Sequence, residues 1–176
     1  MKITIIICVA IFALLFVYRT HAQYSVTRER AVALDQIPRI FEKLRASKNY
    51  PAFAAFMFGA PDRPGNDGTI NLQFSMEQNR PGLDWVLLAP GNIADQNKFL
   101  EFSRARGFKP ELKEGNGVRY WRIEDGDLTS ICTAVIAELY GVPRGAEIGL
   151  VVMGFEWGSA PGENGATRDI IITKQR

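Results

Sequence analysis

The apolar positions change period several times along the chain, and each change marks an element. Residues 69–77 (TINLQFSME) alternate strictly, with Ile70, Leu72, Phe74 and Met76 on one side and Asn71, Gln73, Ser75 and Glu77 on the other. A period of two over that length predicts a strand with one covered and one wet face, the habit of antiparallel sheets. Upstream, Ile37, Ile40, Phe41 and Leu44 fall at i, i+3, i+4 and i+7. That spacing predicts a helix capped by Asp35, with Pro38 in its first turn and an end near Ser47. The polar stretch before it, 23–34, reads as a lead-in that begins a helix. Residues 52–58 (AFAAFMF) are apolar on both sides and bounded by Pro51 and Gly59, which suits a central strand.

The second half repeats these signals. Arg80-Pro81-Gly82 predicts a turn, and Leu83 to Leu88 a returning strand. Asn92 is placed to cap a helix with Asp95 as its capping-box partner; the helix runs to Arg106 and stops at Gly107. Residues 108–114 and 118–124 flank Gly115-Asn116-Gly117, a hairpin signal. Asp127 caps a third helix whose apolar stripe runs through Leu128, Ile131, Cys132, Val135, Ile136, Leu139 and Tyr140. Residues 147–157 form a last strand, and 158–176 read as a flexible tail. The expected order is α-β-β-β-α-β-β-α-β: one α+β domain, 23–157, with an antiparallel or mixed sheet and helices on one face.

The leader changes the chemistry that remains available. Met1 and Lys2 precede an apolar run, Ile3 to Tyr18, followed by Arg19-Thr20-His21-Ala22. Small residues at Thr20 and Ala22 predict a signal peptide, 1–22, cleaved after Ala22. The alternative is an uncleaved membrane anchor formed by residues 3–18. Either way the domain is expected to be extracytoplasmic, periplasmic or secreted, and to meet a membrane only if the leader stays. Lys2 and Arg19 leave with the leader, so the formal charge falls from +2 to zero. A neutral chain gives no electrostatic case for nucleic acid.

His21, the only histidine, belongs to the leader, as does Cys8, one of the two cysteines. Without them a Ser-His-Asp triad, a Cys-His pair, a histidine metal site and an internal disulfide are all excluded. Cys132 lies on the apolar stripe of the third helix and reads as a small core hydrophobe. No phosphate loop or dinucleotide fingerprint is present, and no cofactor or metal is expected. Glu124, Asp125 and Asp127 read as helix capping, and Asp62 and Asp67 as turn residues with calcium as the alternative. In Arg119-Tyr120-Trp121-Arg122, Trp121 is expected on the covered face beside an exposed Arg pair.

The strands carry more large apolar side chains than one covered face needs. Trp85, Tyr120, Trp121, Phe155 and Trp157 are therefore the candidate partner-binding surface, for a protein partner or a second copy. A folded-back or swapped tail is the competing explanation. Four segments, DWVLLAP (84–90), FLEFSRARG (99–107), GVRYWRIE (117–124) and LTSICTAVIAELYGVP (128–143), give residues 32–157 a pattern that resembles the type III secretion chaperone-like fold, including YbjN-like domains. The resemblance implies a binding or chaperone-like module, often dimeric, with no catalytic residue to carry over. The expected function is a non-catalytic exported protein-binding or chaperone-like module acting through a sheet face or edge. The alternatives are a hydrolase using carboxylate pairs among Glu77, Asp84, Glu111, Glu124 and Asp125, and a small-ligand carrier with a pocket between sheet and helices.

Overall fold

Seven strands pair edge to edge in the order β1-β7-β2-β3-β4-β6-β5, every neighbour antiparallel. The strands are β1 (Arg30–Ala33), β2 (Phe53–Gly59), β3 (Thr69–Glu77), β4 (Arg80–Val86), β5 (Glu111–Gly115), β6 (Val118–Ile123) and β7 (Glu147–Met153). The helices are α1 (Ile37–Ala46), α2 (Pro90–Ala94), α3 (Gln96–Ala105) and α4 (Leu128–Ala134), the last widening into a π-helical turn over Val135–Leu139. This computed structural model describes residues 30–63 and 68–158. The expected signal peptide, the expected tail beyond Gly158 and Asp67 lie outside the described residues.

The α+β class with helices on one face is what the chain adopts. Phe56, Leu72, Phe74, Leu83 and Trp85 point from the central strands into the helix layer and are fully buried there. Ile37, Ile40 and Leu44 of α1 meet them with no exposed surface, and Phe41 lies 4.7 Å from Phe74, centroid to centroid. Trp85 stacks on Phe99 of α3 at 4.7 Å. Cys132 is buried among the apolar residues of α4, as its place on the stripe predicts, and burial raises its thiol pKa. The side chains between sheet and helices form one contiguous buried cluster.

Four local expectations are corrected. Residues 30–33 form a strand, not a helical lead-in, because β7 supplies a partner more than a hundred residues away. Asp35 sits in a 3₁₀ turn, Leu34–Gln36, and makes no side-chain cap. The turn after β3 is Gln78-Asn79, both at positive φ (50° and 64°), so Arg80-Pro81-Gly82 begins β4 instead. Pro81 is tolerated because pairing of β4 with β6 starts only at Leu83. Asn92 is no cap either. It is fully buried, its Oδ1 accepting from the Asn71 N–H at 2.8 Å and its Nδ2 donating to the Asn71 carbonyl at 2.7 Å. That side chain continues the ladder on β3 where β4 stops, and the helix divides into α2 and α3 around it. Asp127 does cap α4, accepting from the N–H groups of Thr129 and Ser130.

Candidate functional site

The face of the sheet turned away from the helices carries the molecule's concentrated polar chemistry. Strand alternation places Gln73, Ser75 and Glu77 of β3, Asp84 of β4 and Tyr120 and Arg122 of β6 on this side, with Phe53 and Ala55 of β2 beside them. Register sets Gln73 opposite Asp84, and Asp84 opposite Arg122.

Arg122 organises the group, and its side chain is completely buried. Its Nη1 donates to Asp84 Oδ1 at 2.7 Å and to Ser75 Oγ at 2.8 Å; its Nε donates to Glu124 Oε1 at 2.8 Å; its Nη2 donates to the Arg80 carbonyl at 3.1 Å. Glu77 lies 3.5 Å from Nη1 and accepts from the Tyr120 hydroxyl at 2.5 Å. Ser75 donates in turn to Asp84 Oδ2 at 2.5 Å. Lys113 and Arg80 close the outer side by pairing with Glu124. Glycine at 82 makes this possible: a Cβ there would lie 2.2 Å from the Arg122 Cζ. The guanidinium crosses β4 in the space that Gly82 leaves empty.

Burial pushes the Asp84 carboxyl up to about 6, against the pull of Arg122 and the Ser75 hydroxyl. Burial alone would lower Arg122, but the charges of Asp84 and Glu77 outweigh it and hold Arg122 above its ordinary value. Burial and then the bond to Glu77 raise the Tyr120 hydroxyl. The Lys113 hydrogen bond holds Glu124 below the usual range. With every cation in the group matched to a carboxylate, the network is closed on itself.

A groove of about 320 Å³ runs over part of this network. Gln73, Ser75 and Asp84 form its polar floor, Glu77 and Tyr120 stand at one side, and Pro51, Phe53, Val86 and Val118 supply apolar wall. Tyr50 and Leu88 also line it and are 79% and 69% exposed, the two most exposed large apolar residues described. A second depression, about 570 Å³, lies beyond Arg122 and is lined by Arg80, Arg106, Lys109, Glu111, Glu124 and Asp125 among others.

Of the five aromatics expected to form a partner surface, only Tyr120 stands on the open face. Trp85 is fully buried and Trp121 points the same way, both toward the helices. Trp157 is buried against α1, beneath Arg39 and Lys43, and Phe155 packs on the core. The expected exposed Arg pair is corrected too, since Arg122 is interior while Arg119 is exposed. Among the carboxylates, Glu77 and Asp84 share one groove, whereas Glu111, Glu124 and Asp125 line the other depression. No group of three or more metal-ligating side chains is found among the described residues. None of the described helices is long and apolar enough to cross a membrane.

No protein-family model, curated protein or solved structure matches the chain.

Proposed function

We propose that the domain is a non-catalytic, chaperone-like binding module that takes apolar segments of a protein partner on the open face of its sheet. The observation that carries this reading is the groove whose rim exposes Tyr50 and Leu88 above a floor of committed polar groups. Large apolar side chains held in water beside a concave polar floor are the composition of a docking surface. The floor is poor in catalytic freedom, because Asp84 already accepts from Arg122 and Ser75. The apolar run Ile3 to Tyr18, read as a signal peptide, supports a place outside the cytoplasm.

Suppression of the aggregation of an unfolded, apolar model protein tests the reading. The native chain is expected to slow aggregation, the double substitution Tyr50→Ser with Leu88→Asp to abolish the effect, and Ile93→Asp, an exposed site on the helix side, to retain it. Equal behaviour of the two variants refutes the reading.

A carboxylate-dependent hydrolase is the second reading. It is favoured by Glu77 and Asp84 lining one groove with Tyr120, and by the lifted pKa of Asp84. It requires hydrolysis of a glycan substrate that Glu77→Gln abolishes without loss of folding.

A further inference from the structure

The near-neutral formal charge hides a local excess of positive charge on α1. From Ile37 to Lys48 the sequence carries Arg39, Lys43, Arg45 and Lys48 against a single carboxylate, Glu42. All four cations are exposed, whereas Ile37, Ile40 and Leu44 turn inward. Arg45 pairs with Glu42 at 3.5 Å. Arg39, Lys43 and Lys48 pair with no carboxylate among the described residues. On the open face, by contrast, Arg80, Lys113 and Arg122 are each matched to one.

Two of the α1 cations are placed against the local electrostatics. Arg39 is the third residue of the helix, in a first turn that holds no acid. The partial positive charge of a helix N-terminus disfavours a cation there. Lys43 follows at i+4, where a like charge is also unfavourable. Helix polarity accounts for Lys43 and Arg45 in the last turn, but not for Arg39. Arg39 and Lys43 are nonetheless held together. The Arg39 Cζ lies 5.3 Å and the Lys43 Nζ 5.6 Å from the centre of the same Trp157 ring. The Lys43 ammonium also donates to the Glu156 carbonyl at 3.4 Å. The ring seats both cations without cancelling their charge. Two convergent, uncancelled cations form a place for an anion that comes from outside.

The shape of the patch selects among anions. α1 lies on the sheet, so its outer face is convex, and its cations stand on long flexible stems. Arg39 to Arg45 spans about 9 Å of helix axis. Such a row needs no fixed register from its partner, which suits the anionic headgroups of a bilayer. Clusters of four or more Lys and Arg on an amphipathic helix have this use.

We propose that the outer face of α1 docks the domain on an anionic lipid surface, with Arg39 and Lys43 taking lipid phosphates beside Trp157. Folded structure makes the contact, so no retained leader is needed. The docking is independent of what the open face binds, and it turns the open-face groove away from the bilayer.

Flotation with lipid vesicles tests this, using residues 23–176, which hold every described element. The salt is about 0.1 M, where charges more than about 10 Å away are screened. The chain is expected to float with vesicles of phosphatidylcholine and phosphatidylglycerol, and not with phosphatidylcholine alone. Salt at about 1 M is expected to release it. Arg39→Gln with Lys43→Gln is expected to weaken partitioning about tenfold or more, since each cation near such a surface contributes on the order of fivefold. Lys109→Gln with Arg119→Gln removes the same charge at exposed positions on the β5–β6 side and is expected to bind like the native chain. The exchange Arg39→Lys with Lys43→Arg keeps both charges and is expected to bind, which separates lost charge from lost folding. Binding to neutral vesicles, binding that survives the high salt, binding to neither vesicle, or equal weakening by the two glutamine pairs overturns the inference. So does a tighter hold on a DNA duplex than on the vesicles at the same salt, which would make the patch a nucleic-acid site.

Discussion

A single arginine holds the open face of the sheet together. Arg122 has no contact with water, and its charge is met by Asp84, Glu124 and Glu77. Arg122→Met would keep much of the volume and leave Asp84 buried without its cation, a change that costs about 3–5 kcal/mol. Gly82→Ala is expected to lose stability by the same route, since the new methyl occupies the guanidinium's place. Urea unfolding of both variants checks this; full stability in Gly82→Ala would show that the guanidinium does not need the gap. Asp84 itself sets a pH dependence. Its carboxyl titrates at about 6 when folded against an ordinary 3.8. A raised acid stabilises the fold while protonated, so this contribution is full below the unfolded value and lost as pH rises through the folded one. Two units correspond to about 3 kcal/mol. The stability difference between the native chain and Asp84→Asn is therefore expected to shrink from pH ~4 to pH ~6 and then level off; a flat or rising difference would sink the assignment.

At the scale of elements, strict local periodicity was readable and borrowed structure was not. The alternation from Ile70 to Met76 marks β3 with the bounds it has, Thr69–Glu77, and the stripe of α4 with its Asp127 cap is equally plain. β1 has only four residues and exists through β7, so no local signal announces it. Asn92 looks like a cap from its neighbours in sequence, but Asn71 claims its amide from a different strand. Asn92→Ala would leave the Asn71 N–H and carbonyl without these bonds and free the Trp85 Nε1 acceptor on the same residue to shift. We expect a loss of about 1–3 kcal/mol, the cost of buried polar groups left unmatched, while Asn97→Ala on the exposed side of α3 is expected to be neutral. Equal unfolding midpoints for the two variants would refute the ladder role. The candidate site was legible only in part. Alternation assigns Ser75, Glu77, Asp84 and Arg122 to the wet face, yet burial of Arg122 depends on a missing side chain at Gly82 and on partners from β3 and β4. The tryptophans misled for the converse reason: Trp85 faces helices whose packing no strand pattern records.

For the whole molecule, the two sides of one sheet divide the work. The helix side buries the apolar surface that stabilises the fold, and the open side keeps a polar network under a groove. The outer edges are treated differently. β5 presents Glu111, Lys113 and Glu114, charges that discourage strand addition by another chain. At the opposite edge, β1 covers β7. The last strand in sequence is therefore not the last in space, because β7 is inserted between β1 and β2. A polypeptide emerging from a ribosome or a translocation pore delivers its N-terminal end first. Until Glu147–Met153 has followed, β1 has no neighbour and β2 has one bare edge, so the sheet cannot close. The nascent chain should stay threadable for nearly the whole of its synthesis and then collapse in one late event. Stalled chains ending before Glu147 are expected to be digested by protease, and chains extending well past Trp157 to resist it.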